Sequence, residues 1–450
     1  MSGTTFLAAT APPLRADDLL VLLIQLATLL LGAVLLGRLA SRLGMPPVVG
    51  ELLTGVLLGA SVLGWLAPDV AAWLLPADPA QFHLLDAVAQ LGILLLVGLT
   101  GIELDLSMVR RRGGVAARVS VSGLVVPLAL GFGLGWVLPA AMLGPSADRP
   151  VFAVLMAVAM GVSAIPVIAK TLSDLRLLHR DVGQLTLTAA TIDDAVAWLL
   201  LAVGGGMAAS GGSPWEIGRS VGVALVVVPL AALVARPLVG WVLRTAGRSE
   251  PGVSAAVCVV LLLLGSAGTN ALGLEPVLGA FVTGIVIGST GVLTPLRLSP
   301  LRGFVLSVLA PLFLATVGLR MDLGALVRPE VALAAVVVTA VAVVGKFGGA
   351  YLGARTGGIG NRESFALGAA LNARGAVGAV VAAVGLSLGV FNSTSYTVVI
   401  VVAIVTSVMS PPLLRWAMAG VPLRPDERAR MERAGEPVPE PHTTPAGERT

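Results

Sequence analysis

About thirteen apolar stretches, each close to the ~20 residues a helix needs to cross a bilayer, run through this chain and decide its fold class. They fall at approximately 18–38, 47–65, 84–102, 115–142, 150–169, 184–208, 217–243, 252–269, 275–292, 303–318, 329–353, 364–387 and 396–419. Hydrocarbon gives backbone groups no partner, so each stretch must satisfy its own hydrogen bonds as a helix. The totals agree: 56% hydrophobic and 12% charged residues describe an all-α polytopic membrane protein solvated by the lipid bilayer.

The net charge of +4 comes mostly from short arginine clusters between apolar stretches, which topology explains better than nucleic acid does. Alternate connections carry Arg38/Arg42, Arg110–Arg112, Lys170/Arg176/Arg180, Arg244/Arg248, Arg297/Arg302 and Arg355/Arg362. Basic loops stay cytoplasmic, so the N-terminus is expected outside the cell membrane and the C-terminus inside. The opposite loops carry Asp69, Asp78, Asp148, Glu216 and Glu275, with Arg149, Arg219, Arg320 and Arg328 as exceptions. Residues 1–17 do not read as a cleaved signal peptide, because Asp17 and Asp18 precede a run long enough to span. From Val421 to Thr450 the chain is rich in Pro, Glu and Arg and is expected to be a disordered cytoplasmic tail. Lone Cys258 and the scattered His83, His179 and His442 give no metal or nucleophile pattern, so neither a cofactor nor a bound metal beyond a transported ion is expected.

An internal echo organises the spans. Gly50-Glu51-Leu52-Leu53-Thr54-Gly55-Val56-Leu57-Leu58-Gly59 resembles Gly279-Ala280-Phe281-Val282-Thr283-Gly284-Ile285-Val286-Ile287-Gly288, and Gly101–Leu106 resembles Gly318–Leu323. Each pair is about 220 residues and an odd number of spans apart, so two inverted-topology repeats are expected, roughly 47–208 and 275–419 within a transmembrane domain of residues 1–420.

Within the sixth stretch, Thr191-Ile192-Asp193-Asp194 places two carboxylates in succession. An Asp at the centre of a membrane helix costs about 2.5–3.5 kcal/mol by insertion scales, so each needs a partner or a function. Neighbouring helical residues point about 100° apart, which splits the roles: one can line a water-accessible cavity while the other meets a cation on another helix. Of the two lysines in the chain, Lys170 lies beside a loop. The other, Lys346, sits mid-span among glycines that admit a close helix, and is the natural partner.

Two segments read as broken helices. Pro166 removes a backbone donor near Ser163, and Asn372 and Arg374 adjoin helix-weakening glycines about 210 residues later. Discontinuous helices in corresponding positions leave free carbonyls and half-helix dipoles at mid-membrane, where cations are coordinated or compensated. Glu51 and Thr191 are accessory positions. Two Asp can also activate water in an aspartyl protease, but adjacent positions on one helix face apart, so no enzyme is expected.

With these residues in hand, the chain resembles the monovalent cation:proton antiporter superfamily, in the branch of potassium-efflux antiporters, NapA-type sodium/proton antiporters and plant cation/proton exchangers. The resemblance runs from Leu19 to about Ala419 through Pro47-Val48-Val49-Gly50-Glu51, Ala164-Ile165-Pro166-Val167, Ile192-Asp193-Asp194, Gly345-Lys346 and Leu371-Asn372-Ala373-Arg374-Gly375. It implies a core domain of crossed, unwound helices that moves against a separate dimerisation domain, in a homodimer. It also implies that Asp194 carries the sodium or potassium ion and the proton, and that Asp193 pairs with Lys346 as in electrogenic members. Gly378 departs from the plant exchangers, which tend to have an acidic residue there, so their cation preference does not carry over. A cation channel or a non-transporting sensor on the same fold is the alternative.

Overall fold

The computed structural model describes residues 15–76, 78–104, 113–209, 222–223, 226, 234–246 and 251–433. Asp105, Arg110–Arg112, Glu216, Arg219, Arg248, most of the predicted 217–243 span and the tail beyond Arg433 lie outside the described residues. The described chain is helical almost throughout: α1 (Ala16–Arg42), α2 (Pro47–Leu58), α3 (Leu63–Leu66), α4 (Pro68–Leu74), α5 (Pro79–Ile102), α6 (Gly113–Val137), α7 (Arg149–Gly161), α8 (Ile165–Asp174) and α9 (Asp181–Ala209). There follow α10 (Arg236–Ala246), α11 (Pro251–Ala271), α12 (Pro276–Ser289), α13 (Pro295–Phe304), α14 (Ala310–Leu319), α15 (Pro329–Thr356), α16 (Asn361–Leu371), α17 (Gly375–Ser387), α18 (Ser393–Met418) and α19 (Pro425–Arg433).

Among the described residues ten helices are long and apolar enough to cross a membrane, and α16 with α17, bent by 41° at their break, is an eleventh where the pair is counted as one span. The predicted 275–292 span is the shorter α12, of 14 residues. The protein is thus a multi-pass membrane protein, and the described residues do not bring the span count to thirteen.

The helices gather in two bundles. One holds α1, α2, α5 and α11–α14; the other holds α6–α9 and α15–α18. The sequence echo explains the first. Gly55 on α2 lies so close to α14 that a Cβ there would strike the Ala315 carbonyl oxygen, and Gly318 approaches Leu52 and Gly55 in return. The second copy repeats the contact with partners exchanged: Gly284 on α12 presses on the Gly98 carbonyl of α5, beside Gly101. Thr54 meets Gly32 of α1 just as Thr283 meets Gly265 of α11. In lipid, association rests on such close packing of small residues, so the duplicated glycines interlock the two halves.

In the second bundle the glycines flanking Lys346 do what their size suggests. Gly345 on α15 faces Pro127 of α6, with the Cα 3.2 Å from where a Cβ would stand, and Gly349 faces the Ser122 carbonyl and Gly123. This seam sets α15 and α6 together beside α9.

The tail departs from the expected disorder as far as it is described. Residues Pro425–Arg433 form α19, because its charges find partners on the helix bundle: Glu427, 1% exposed, accepts from the Asp181 backbone N–H at 2.8 Å and sits 3.4 Å from Arg180. Arg424 reaches Glu363 at 2.8 Å and Arg430 reaches Asp181 at 2.7 Å. A composition count sees too few apolar residues there and misses this network of ion pairs.

Candidate ion-binding site at the helix crossing

The two sequence-predicted breaks meet. The chain between α7 and α8 is extended at Val162 and Ala164, and the chain between α16 and α17 turns at Asn372–Arg374. The Ala164 N–H donates to the Ala373 carbonyl at 2.9 Å, a backbone bond from one break to the other. Gly375 holds φ at 38°, a left-handed value suited to glycine, and its N–H is received by Ser407 Oγ at 3.0 Å.

Broken helices leave carbonyls without donors, and buried cations take them. The Arg374 guanidinium, 1% exposed, donates at 2.7 Å to the Met160 carbonyl at the end of α7, and also to the Ala342 carbonyl within the continuous α15 at 2.8 Å and to Asn372 Oδ1 at 3.0 Å. Lys346 Nζ donates to the Gly161 carbonyl at 2.6 Å. Both positive charges therefore stand at the carbonyl end of α7, where the helix dipole favours them.

Asp193 and Asp194 are both fully buried and are treated in opposite ways. Asp193 is saturated: Lys346 Nζ lies 2.6 Å from Oδ2, Ser120 Oγ donates to Oδ1 at 2.7 Å, and Ser163 Oγ approaches Oδ2 at 3.4 Å while donating to the Leu371 carbonyl at 2.9 Å. Neither carboxylate oxygen of Asp194 has any hydrogen-bond partner among the described residues. Residues one apart on a helix face apart, as expected, so the neighbours of one cannot serve the other.

Thr191 lies one turn before Asp194 on the same face of α9 and lines a cavity of about 430 Å³ between the bundles. Ile165 and Pro166 of α8 share its inner wall; Lys170, Glu103 and Arg302 stand toward its mouth. Asp194 itself is not in that lining, so the open volume ends about one helical turn short of it. Glu103 and Arg302 pair at 3.1 Å, and burial pushes the Glu103 carboxyl up while Arg302 pulls it partly back. No group of three or more His, Cys, Asp or Glu side chains suited to a resident metal occurs among the described residues.

Of the sequence-predicted positions, Asp193, Asp194, Lys346, Ser163, Asn372 and Arg374 come together at the crossing, with Pro166 and Thr191 at the cavity end. Glu51 does not join them: its stem lies 3.7 Å from the Cβ position of Gly37 on α1. Two participants were not singled out from the sequence. Ser120 is one serine in a run of small residues, with no signal that it would face Asp193. Trp198 is one turn beyond Asp194, is 2% exposed, and its indole N–H has no hydrogen-bond partner among the described residues.

A family model described as sodium/hydrogen exchanger, transmembrane, matches residues 26–420 of this chain. The chain belongs to the sodium/hydrogen exchanger family. Members of this family are transporters, not enzymes. The Na(+)/H(+) antiporter NhaS4 of Synechocystis is 30% identical over 402 residues, covering 88% of this chain and 97% of its own length. Cation/H(+) antiporter 20 of Arabidopsis thaliana is 31% identical over 411 residues; 87% of this chain aligns with 48% of that longer protein. The solved structure of the sodium proton antiporter MjNhaP1 from Methanocaldococcus jannaschii at pH 8 shares the fold, with a TM-score of 0.62 over 90% of this chain and 98% of that one, at 16% identity.

Proposed function

We propose that the protein exchanges sodium or potassium for protons across the cell membrane by alternating access, with cation and proton competing for Asp194. The observation that carries this reading is the pair of unpartnered carboxylate oxygens on a fully buried Asp194, one turn from a cavity between the two bundles. An uncompensated charge at such a site costs several kcal/mol, whereas a proton or a monovalent cation cancels it. Either loaded form crosses between the two faces; the empty site does not, so exchange is obligatory without a separate gate. The names of relatives on both sides of the sodium and cation/proton divide are consistent with oxygen ligands that suit both ions.

One carboxylate trading one proton for one cation moves no net charge. Electrogenic exchange needs a second proton, and at the crossing the titratable groups besides Asp194 are Asp193 and Lys346, since an arginine does not give up its proton. Lys346 is assigned that second proton, released when a cation enters and the lysine yields its charge. The bundle carrying the crossing moves against the bundle of interlocked glycines, which forms the homodimer contact. The basic residues at the cavity mouth, Lys170 and Arg302, support a cavity that opens to the cytoplasm, with the N-terminus outside and the C-terminus inside.

The test is Asp194→Asn assayed in everted membrane vesicles. Loss of all cation-induced pH recovery is expected at normal expression; recovery at the wild-type rate sinks the reading.

A further inference from the structure

A second cavity, of about 710 Å³, lies where the turn between α8 and α9, the end of α18 and α19 come together, and ion exchange as proposed makes no use of it. Four arginines line it: Arg176, Arg180, Arg415 and Arg428. Arg180 is committed, through the Val421 and Pro422 carbonyls at 3.2 and 2.8 Å and through Glu427. The guanidinium groups of Arg176, Arg415 and Arg428 have no hydrogen-bond or ion-pair partner among the described residues. Of the acids around them, Glu432, one turn beyond Arg428 on α19, is exposed and makes no ion pair among the described residues, and the others serve other groups. Glu427 serves Arg180 and the backbone N–H groups of Asp181 and Arg424, Asp181 serves Arg424 and Arg430, Asp426 serves Arg430, and Asp174 serves Lys170. Three like charges therefore line one concave surface with no ion pair of their own among the described residues, an arrangement that attracts an anion.

The backbone holds one of them there against preference. Arg176 has φ of 55°, the one positive value at a non-glycine among the described residues, at the turn that ends α8 where glycine is usual. The floor beneath the arginines is apolar: Leu177, Met418 and Met431 are buried. The depth in the membrane is marked by Trp416, 69% exposed on the last turn of α18 beside Arg415, since such a tryptophan rests at headgroup level. Guanidinium forks match phosphate oxygens two at a time, and an apolar floor suits the glycerol and first methylenes of a lipid.

We propose that this cavity binds the phosphate headgroup of an anionic phospholipid, with Arg176, Arg415 and Arg428 as its ligands. The lipid then ties α18 and α19 to the turn that leads into α9, the helix that carries Asp193 and Asp194.

The purified full chain in neutral detergent is titrated with short-chain phosphatidylglycerol, with short-chain phosphatidylcholine and with inorganic pyrophosphate, and thermal unfolding is followed. Phosphatidylglycerol is expected to raise the midpoint saturably and phosphatidylcholine not to. In Arg176→Gln/Arg428→Gln the phosphatidylglycerol concentration needed for half the shift is expected to rise about tenfold or more, as two charge-assisted contacts are lost. Arg38→Gln/Arg42→Gln, which removes an exposed basic pair on α1, is expected to leave the titration unchanged. Equal titrations for wild type and the Arg176/Arg428 variant, or an equal loss in the Arg38/Arg42 variant, overturn the site. A pyrophosphate shift that depends on Arg176 and Arg428 with no response to phosphatidylglycerol overturns the lipid and assigns a soluble phosphate. If the variant does not purify folded, Arg415→Gln is titrated in its place and the same outcomes decide.

Discussion

Replacing Lys346 by Gln separates the electrostatic account of the crossing from a merely steric one. Lys346 and Asp193 are both fully buried and 2.6 Å apart, and Lys346 also supplies the donor for the Gly161 carbonyl. Without the ammonium, Asp193 keeps Ser120 at 2.7 Å and a long contact to Ser163, which is too little to hold a full charge away from water. Breaking a buried pair from one side costs about 3–5 kcal/mol, mostly the charge left behind. The double variant Asp193→Asn/Lys346→Gln removes both charges and is expected to return to within about 1–2 kcal/mol of wild type, since a neutral pair can share hydrogen bonds. The internal control is Lys170–Asp174, also 2.6 Å apart but 52% and 56% exposed; Lys170→Gln is expected to cost less than about 0.5 kcal/mol. Thermal or denaturant unfolding of the four proteins in one detergent gives the ranking. Equal losses for Lys346→Gln and Lys170→Gln, or a double variant worse than Lys346→Gln alone, refute the reasoning. On a solid-supported membrane, Lys346→Gln is expected to lose the transport current; an unchanged current removes Lys346 from the charge balance.

Gly55→Val drives a side chain into the Ala315 carbonyl and is expected to abolish folded protein, measured as monodisperse yield, whereas Gly114→Ala, with open space at its Cβ, is expected to stay within about 0.5 kcal/mol of wild type. Glu275 stands in the turn before α12, outside the helix, where burial holds its carboxyl at about 7 against an ordinary 4.5. The folded protein keeps a proton there that the unfolded chain gives up, so this contribution to stability is complete below pH 4.5 and is lost as pH rises through about 7. Glu275→Gln should therefore match wild type in unfolding midpoint at pH 4.5 and exceed it by a margin that grows to about pH 7 and then levels off; a constant or shrinking margin contradicts the assignment.

Much of this site is legible in the sequence because membranes make polar residues expensive. Asp193, Asp194, Lys346, Asn372 and Arg374 announce themselves against an apolar background, and the 100° step along a helix already requires that the two carboxylates have different neighbours. The repeated glycines likewise predict close contacts, and the structure supplies the exchange of partners between halves. Ser120 shows where such reasoning stops: a serine can satisfy itself on its own helix, so its presence in an apolar span costs little and signals nothing. The ordered helix after Val421 escapes composition for a related reason, since its anchor is a set of ion pairs to Asp181, Glu363 and Arg180 that only the fold brings near. Glu51 is the reverse case, a carboxylate in an apolar helix that the fold sets against α1 instead of at the crossing.

The central claim is competition at one carboxylate, and cation affinity as a function of pH tests it most directly. Binding of sodium and of potassium to the purified protein is measured calorimetrically between pH 5.5 and 9, beside Asp194→Asn. Competition for Asp194 predicts an apparent Kd that rises by about tenfold or more for each unit of pH lowered over the acidic part of the range, proton release with every cation bound, and no binding to Asp194→Asn. A Kd independent of pH, or cation binding retained by Asp194→Asn, contradicts it.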